Sequence, residues 1–239
     1  MSKKLGVIGG MGPLATALFM ELVIEMTEAS ADCEHIPMDI VNIPGIPDRT
    51  DYILGRSQQS PIEEIKRIKA ELEDRGAAVL AMPCNTAFCF YEELVKEGLP
   101  IIHAIKETAL CLKEAGVDKA GILATDGTVK TGLFQDGLAV YGIETVIPDE
   151  KHQSMVMSMI YEDVKAGRPI SQEIMSAVEK HLKMQGAKVL VLGCTELSVA
   201  KRSGIAGDGY LDTLEVMARK AVLECGVLKK RYEKLLQVS

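Results

Sequence analysis

Two cysteines, Cys84 and Cys194, stand in nearly repeated surroundings. Residues 76–87 read Gly-Ala-Ala-Val-Leu-Ala-Met-Pro-Cys-Asn-Thr-Ala and residues 186–197 read Gly-Ala-Lys-Val-Leu-Val-Leu-Gly-Cys-Thr-Glu-Leu, at a constant offset of 110. Each apolar run predicts a buried strand that delivers its thiol to the carboxyl end, the edge at which open parallel sheets bind ligands. A thiol becomes a base or nucleophile when a helix N-terminus or a nearby cation lowers its pKa, and both cysteines fall at a predicted strand-to-helix junction. Two equivalent thiols suit a symmetric task. One removes a proton from a stereocentre and the other returns a proton to the opposite face, the roles exchanging with direction. That reaction is racemisation. The alternative reading is two small apolar residues ending two core strands. A single cysteine paired with a histidine would suit acyl transfer, but none of the four histidines (35, 103, 152, 181) is tied locally to either thiol.

The remaining cysteines carry less. None of the six forms a Cys-x-x-Cys pair and no histidine lies at ligand spacing from them, so no metal site is expected. Cys111 and Cys225 read as helix packing. A net charge of −7 argues against nucleic acid or an anionic membrane as partner. Lys229-Lys230-Arg231 reads as one solvated helix face. Met1-Ser-Lys-Lys leads straight into a strand-like Leu5–Ile8, too short for a signal segment, and no run approaches membrane-spanning length. A cytoplasmic protein without structural disulfides is expected.

The thiols must be positioned by alternating strands and helices. Lys4–Thr16 reads as strand, Gly-rich turn and helix, with the helical pattern running from Leu14 to Ala31. A strand over Ile36–Ile43, a Pro-rich loop over 44–50 and a helix over Ile62–Arg75 lead to the Cys84 strand. A helix near 89–97, a short strand at Pro100–His103 and a helix to Gly116 follow. The pattern then restarts, since Lys119–Thr131 aligns with Lys4–Thr16 at an offset of 115. A strand at Glu144–Ile147, a helical segment around 155–165, a loop from Lys165 to Pro169 and a helix over 171–185 precede the Cys194 strand. The tail from Leu211 to Leu236 reads as helical. Such alternation implies an α/β protein with parallel sheets. The repeat divides it into a first lobe, 1–103, and a second, 104–208, with a C-terminal helix within 209–239 packing back on the first. Gly10–Ala15 fits the G-x-G-x-x-A form, but the second strand ends Val41-Asn-Ile-Pro44 without the acidic residue that holds a ribose. A small carboxylate at the helix N-terminus fits that turn better.

These residues resemble a known family. Gly9–Thr16, Asp32-Cys-Glu-His-Ile-Pro37, Ile46-Pro-Asp-Arg-Thr50, Met82-Pro-Cys-Asn-Thr-Ala87 and Leu192-Gly-Cys-Thr-Glu-Leu197 are similar to the aspartate racemase branch of the aspartate/glutamate racemase superfamily. The resemblance implies two flavodoxin-like lobes related by pseudo-twofold symmetry, a site in the cleft between them, no pyridoxal phosphate or metal cofactor, and a homodimer. It makes Cys84 and Cys194 the acid/base pair. Asn85, Thr86 and Thr195, with the Met11-Gly12 turn, would hold the α-carboxylate and ammonium. Arg49 and Lys165 would meet the side-chain carboxylate of a dicarboxylate substrate, as a bidentate guanidinium suits. Glu196 would orient its neighbours or cap the following helix. Two positions depart from the family pattern: Phe88 stands where a histidine is usual, and Ser198 where a proline is. The expected activity is racemisation of aspartate, with glutamate also in range. The alternatives are maleate isomerisation, hydantoin racemisation, and a non-catalytic amino-acid sensor.

Overall fold

The computed structural model describes residues 2–236. The first half runs β1 (Leu5–Gly9), α1 (Pro13–Met26), β2 (Met38–Asn42), α2 (Arg49–Ile53), α3 (Ile62–Asp74), β3 (Val79–Ala81), α4 (Tyr91–Leu94) and α5 (Ala104–Glu114). The second runs β4 (Lys119–Leu123), α6 (Asp126–Lys130), α7 (Leu133–Ala139), β5 (Glu144–Val146), α8 (Glu150–Ser158), α9 (Gln172–Met184), β6 (Val189–Leu192), α10 (Ser198–Arg202), β7 (Tyr210–Asp212) and α11 (Thr213–Cys225). The strands form two sheets, ordered β2-β1-β3 and β5-β4-β6-β7, and every pairing is parallel. The α/β class with two parallel sheets is as the alternating pattern requires.

The repeat in sequence is a repeat in packing. Helix α3 buries Ile65, Ile68 and Leu72, and α9 buries Met175, Val178 and Leu182 at the same offset. Each such side chain contributes about 1.5–3 kcal/mol when fully buried. Both helices stop in the same way: Ala77 N–H donates to Leu72 O and Ala187 N–H donates to Leu182 O. The central strands have no room for a side chain where the neighbouring layer crosses them. A Cβ on Gly6 would strike Leu80, Ala77 and Leu72, and one on Gly121 would strike Leu190, Ala187 and Leu182. The same three contacts recur in both sheets.

By contact the described residues form two units, one of residues 2–103 with 214–234, the other of 104–213 with 235–236. In the first, α11 and the segment after it are tied to the N-terminal half: Lys3 N–H donates to Cys225 O, Glu28 N–H to Val227 O and Lys229 N–H to Met26 O.

Several expected elements differ. The tail is not one helix from 209. Tyr210–Asp212 is the fourth strand of the second sheet, because Leu190 N–H, on the open side of β6, needs an acceptor and finds Gly209 O. Helix α11 then ends at Cys225, and only a 3-10 turn, Lys230–Tyr232, follows. The last expected tail residues, 237–239, lie outside the described residues. Pro100–His103 is not a strand but a single bridge between Ile101 and Leu80. The helix near 89–97 starts early, as a 3-10 turn over Asn85–Phe90, and ends at Leu94. Helix α1 stops at Met26 rather than Ala31, where Thr27 turns its hydroxyl back to Val23 O at 2.6 Å and its backbone bridges to Leu228. Arg49 opens the short helix α2 rather than lying in a loop, since Asp48 accepts from Asp51 N–H as N-cap. No helix among the described residues is long and apolar enough to cross a membrane.

The turn after β1 depends on one backbone conformation. Gly10 has φ +101°, and a Cβ there would overlap the Ile43 carbonyl. Gly10→Ala should therefore lower unfolding free energy in urea by about 2 kcal/mol or more. Gly45→Ala, where a Cβ meets nothing within 4 Å, should leave the urea midpoint nearly unchanged.

Candidate active site

In the first unit the expected residues gather at the carboxyl edge of the sheet. The β1–β3 register pairs Leu5 with Val79 and ends at Val7 with Ala81, and Cys84 follows in a tight turn, its N–H donating to Met82 O at 2.7 Å. Cys84 is the extended residue before the 3-10 turn Asn85–Phe90, so its thiol stands where backbone N–H groups begin to point outward. Cys84, Asn85 and Thr86 are all buried. On the other side of β1, Gly10 N–H donates to Thr16 Oγ1 at 3.0 Å and the Thr16 hydroxyl donates to Gly12 O at 3.0 Å. Arg49, 7% exposed, reaches this turn: its Nη2 donates to Met11 O at 3.2 Å, and its Nη1 to Pro47 O at 2.9 Å and Ile46 O at 3.1 Å. A buried guanidinium thus braces the Met11-Gly12 turn with a full positive charge beside it.

Phe88 is buried in an aromatic cluster. Its ring lies 5.7 Å from Tyr91 and 5.3 Å from His103, and Tyr91 and His103 are 4.3 Å apart. The position that carries a histidine in the resembled family is here part of the packing behind the Cys84 turn.

The second unit repeats the plan with different polar groups. The β4–β6 register pairs Ala120 with Val189, and its continuation sets Cys194 beside Thr125. Cys194 precedes the 3-10 turn Thr195–Leu197. Its Sγ donates to Glu196 Oε2 at 2.9 Å, and Thr195 Oγ1 donates to the same oxygen at 3.3 Å. Glu196 is buried. Burial first, then the Glu196 charge and its hydrogen bond, push the Cys194 pKa well above the ordinary thiol value, with Lys165 pulling the other way. Cys194 is a thiol with its proton held, and its conjugate thiolate is a strong base. Lys165 follows a π-helical turn, Met159–Val164, that continues α8. Such turns are frequent at functional sites. Its Nζ lies 4.2 Å from the centre of the Tyr161 ring.

Buried hydroxyls complete this edge. Thr125 and Thr128 share a 3.0 Å hydrogen bond, Ser198 donates to Asp212 Oδ1 at 2.7 Å and Thr213 to Leu192 O at 2.8 Å. Of these, only Ser198 was singled out in the sequence. The alignment of 119–131 with 4–16 pairs Thr125 with Gly10 and held the signal for Thr125. Ser198, expected to matter little where it replaces a proline, anchors the residue that ends β7.

Comparison with known proteins gives a consistent picture. The sequence pattern of the Asp/Glu/Hydantoin racemase family matches residues 8–221. The broad specificity amino-acid racemase RacX of Bacillus subtilis is 27% identical over 209 residues, covering 81% of this chain and 86% of its own. The glutamate racemase of Aquifex aeolicus is 28% identical over 183 residues, covering 74% and 68%. Among solved structures, Picrophilus torridus aspartate racemase superposes with a TM-score of 0.82 at 33% identity, covering 96% of this chain and 97% of that one.

The Cys194–Glu196 contact has a pH signature. The folded chain holds a proton that the unfolded chain gives up near pH ~8.5. This group's contribution to stability is full below that pH and is lost as pH rises above it. In an ultraviolet thiolate titration, the step missing from Cys194→Ser should lie above the ordinary thiol range. Glu196→Gln should move that step down, while an unmoved step would show that Glu196 does not set it.

Proposed function

The chain belongs to the Asp/Glu/hydantoin racemase family and is an isomerase of the amino-acid racemase kind, and on that footing we propose that it racemises aspartate by a two-base mechanism with Cys84 and Cys194. The observation that carries this reading is the repeated strand–thiol–turn, which places one cysteine at the carboxyl edge of each parallel sheet beside the turn that follows the central strand. Residues that merely filled a core would have no reason to recur at that edge with polar neighbours.

In one direction the Cys84 thiolate takes the α-proton, breaking the C–H bond and leaving its electron pair on the α-carbon. Cys194 then gives its proton to the opposite face, and the new C–H bond has the other configuration. In the reverse direction the Cys194 thiolate is the base and the Cys84 thiol the acid. The α-proton of an amino acid is weakly acidic, so the transition state needs stabilisation of charge spreading into the α-carboxylate. Backbone N–H groups of the Asn85 and Thr195 turns, and the hydroxyls of Thr86 and Thr195, supply oriented dipoles for that charge. Glu196 holds the Cys194 proton until a stronger base, the carbanion, faces it. Arg49 and Lys165 carry the positive charge that a second substrate carboxylate requires. The likeness to an aspartate racemase at 33% identity favours aspartate over glutamate.

Proton NMR of L-aspartate in D2O, with reductant and without added pyridoxal phosphate, should show loss of the α-proton signal and appearance of the D-isomer. Cys84→Ala and Cys194→Ala should each cut the rate by about 10²–10⁴-fold, and full activity in either would overturn the two-base reading. Arg49→Ala should reduce kcat/KM for aspartate roughly 10–100-fold more than for alanine. Equal losses would restrict Arg49 to bracing its turn.

A further inference from the structure

On the second unit, where the start of α8 meets the end of α9, three metal-ligating side chains converge. Asp149 precedes α8, His152 lies in its first turn and His181 in the last turn of α9. One donor atom from each lies within 4.8 Å of the other two. We infer that Asp149, His152 and His181 form a binding site for a zinc-like divalent transition-metal ion that clips α8 to α9.

The spacing is that of a ligand set before the ion draws it in. His152 Nδ1 is 2.6 Å from Asp149 Oδ1, and His181 Nε2 is 3.8 Å from Asp149 Oδ2. These bracket the separation of about 3.3 Å between two donors of a tetrahedral zinc. The His181 Nε2 lone pair accepts the Asp149 backbone N–H at 3.2 Å, and an ion would take the place of that N–H. Gln185 Nε2 lies 2.7 Å from the same nitrogen, and turning its amide over brings an oxygen to that place as a fourth donor. The two imidazoles are stacked, with centroids 3.9 Å apart and planes 13° from parallel. Both rings must open by rotation about χ2 to aim at one ion, and with side chains 18% and 20% exposed they have solvent on one side into which to turn. Two imidazoles and one carboxylate suit zinc, nickel or cobalt rather than magnesium or calcium, which take oxygen ligands.

The site shares no residue with the proposed acid/base pair. His152 and Lys165 stand at opposite ends of one continuous helical segment, about 20 Å apart at the ordinary helical rise. An ion there would fix α8 on α9 and so the segment that ends in Lys165, whatever reaction the chain performs. The sequence concealed the group because its two histidines are 29 residues apart and neither is near a cysteine.

The test uses cobalt(II) as a probe on the full chain, followed by absorbance and calorimetry. Binding of one ion per chain is expected without a sulfur-to-metal charge-transfer band, weakened at least tenfold in His152→Ala and in His181→Ala. It should be unaltered in a Cys84→Ser/Cys194→Ser double variant. Zinc should raise the Tm of the parent chain but not of either histidine variant, whose metal-free melting reports whether it is folded. Asp149→Asn, which keeps the helix cap, provides a third weakened variant. No binding, binding with the sulfur band, or binding unchanged by both histidine substitutions would overturn the assignment.

Discussion

Parallel pairing constrains everything else in this protein. Strands that all point one way deliver all their carboxyl ends to one edge, and the register between neighbours decides which residues meet there. Gly6 and Gly121 make the register possible, because Leu80 and Leu190 occupy the space a side chain would need on the central strands. With that contact in place, Cys84 follows the carboxyl end of β3 and Cys194 that of β6. The thiols are located by packing several residues away from them, and the polar groups around them are whatever the two turns supply.

Those two turns have diverged. In the first, a glycine turn is braced by the buried Arg49 guanidinium, and the polar atoms near it are backbone carbonyls and the Thr16 hydroxyl. In the second, threonine hydroxyls and the Glu196 carboxylate take over. The first half thus brings a buried cation to its turn, and the second brings a buried anion, Glu196, as well as Lys165.

The strands bearing the thiols, the α3/α9 equivalence and the restart at Lys119 were legible in the sequence because each rests on a strong local pattern of apolar spacing and glycine placement. Strand β7 was not. Tyr210-Leu211-Asp212 abuts α11 without a turn residue between them, and its strand character comes from pairing with β6, which no local pattern announces. Arg49 was recognised by type but placed in a loop, since a five-residue helix has too little periodicity to read. The choice left open for Glu196, orienting or capping, falls to a contact: its carboxylate accepts from both Cys194 and Thr195. Thr125 and the Asp149–His152–His181 group share one reason for escaping notice. They are made by register and by helix packing, and sequence distance hides both.

The division of the chain has a consequence for how the molecule comes into being. The second unit is almost entirely one uninterrupted stretch, 104–213, whereas the first is closed by 214–234, which is made after it. On the ribosome the usual order, N-terminal part first, is therefore reversed. The second sheet has its strands and nearly all its covering helices before α11 has emerged, while Met26 and Thr27 still await their partners Lys229 and Leu228. The nascent first half must wait with one side unfinished until α11 and the segment after it close it.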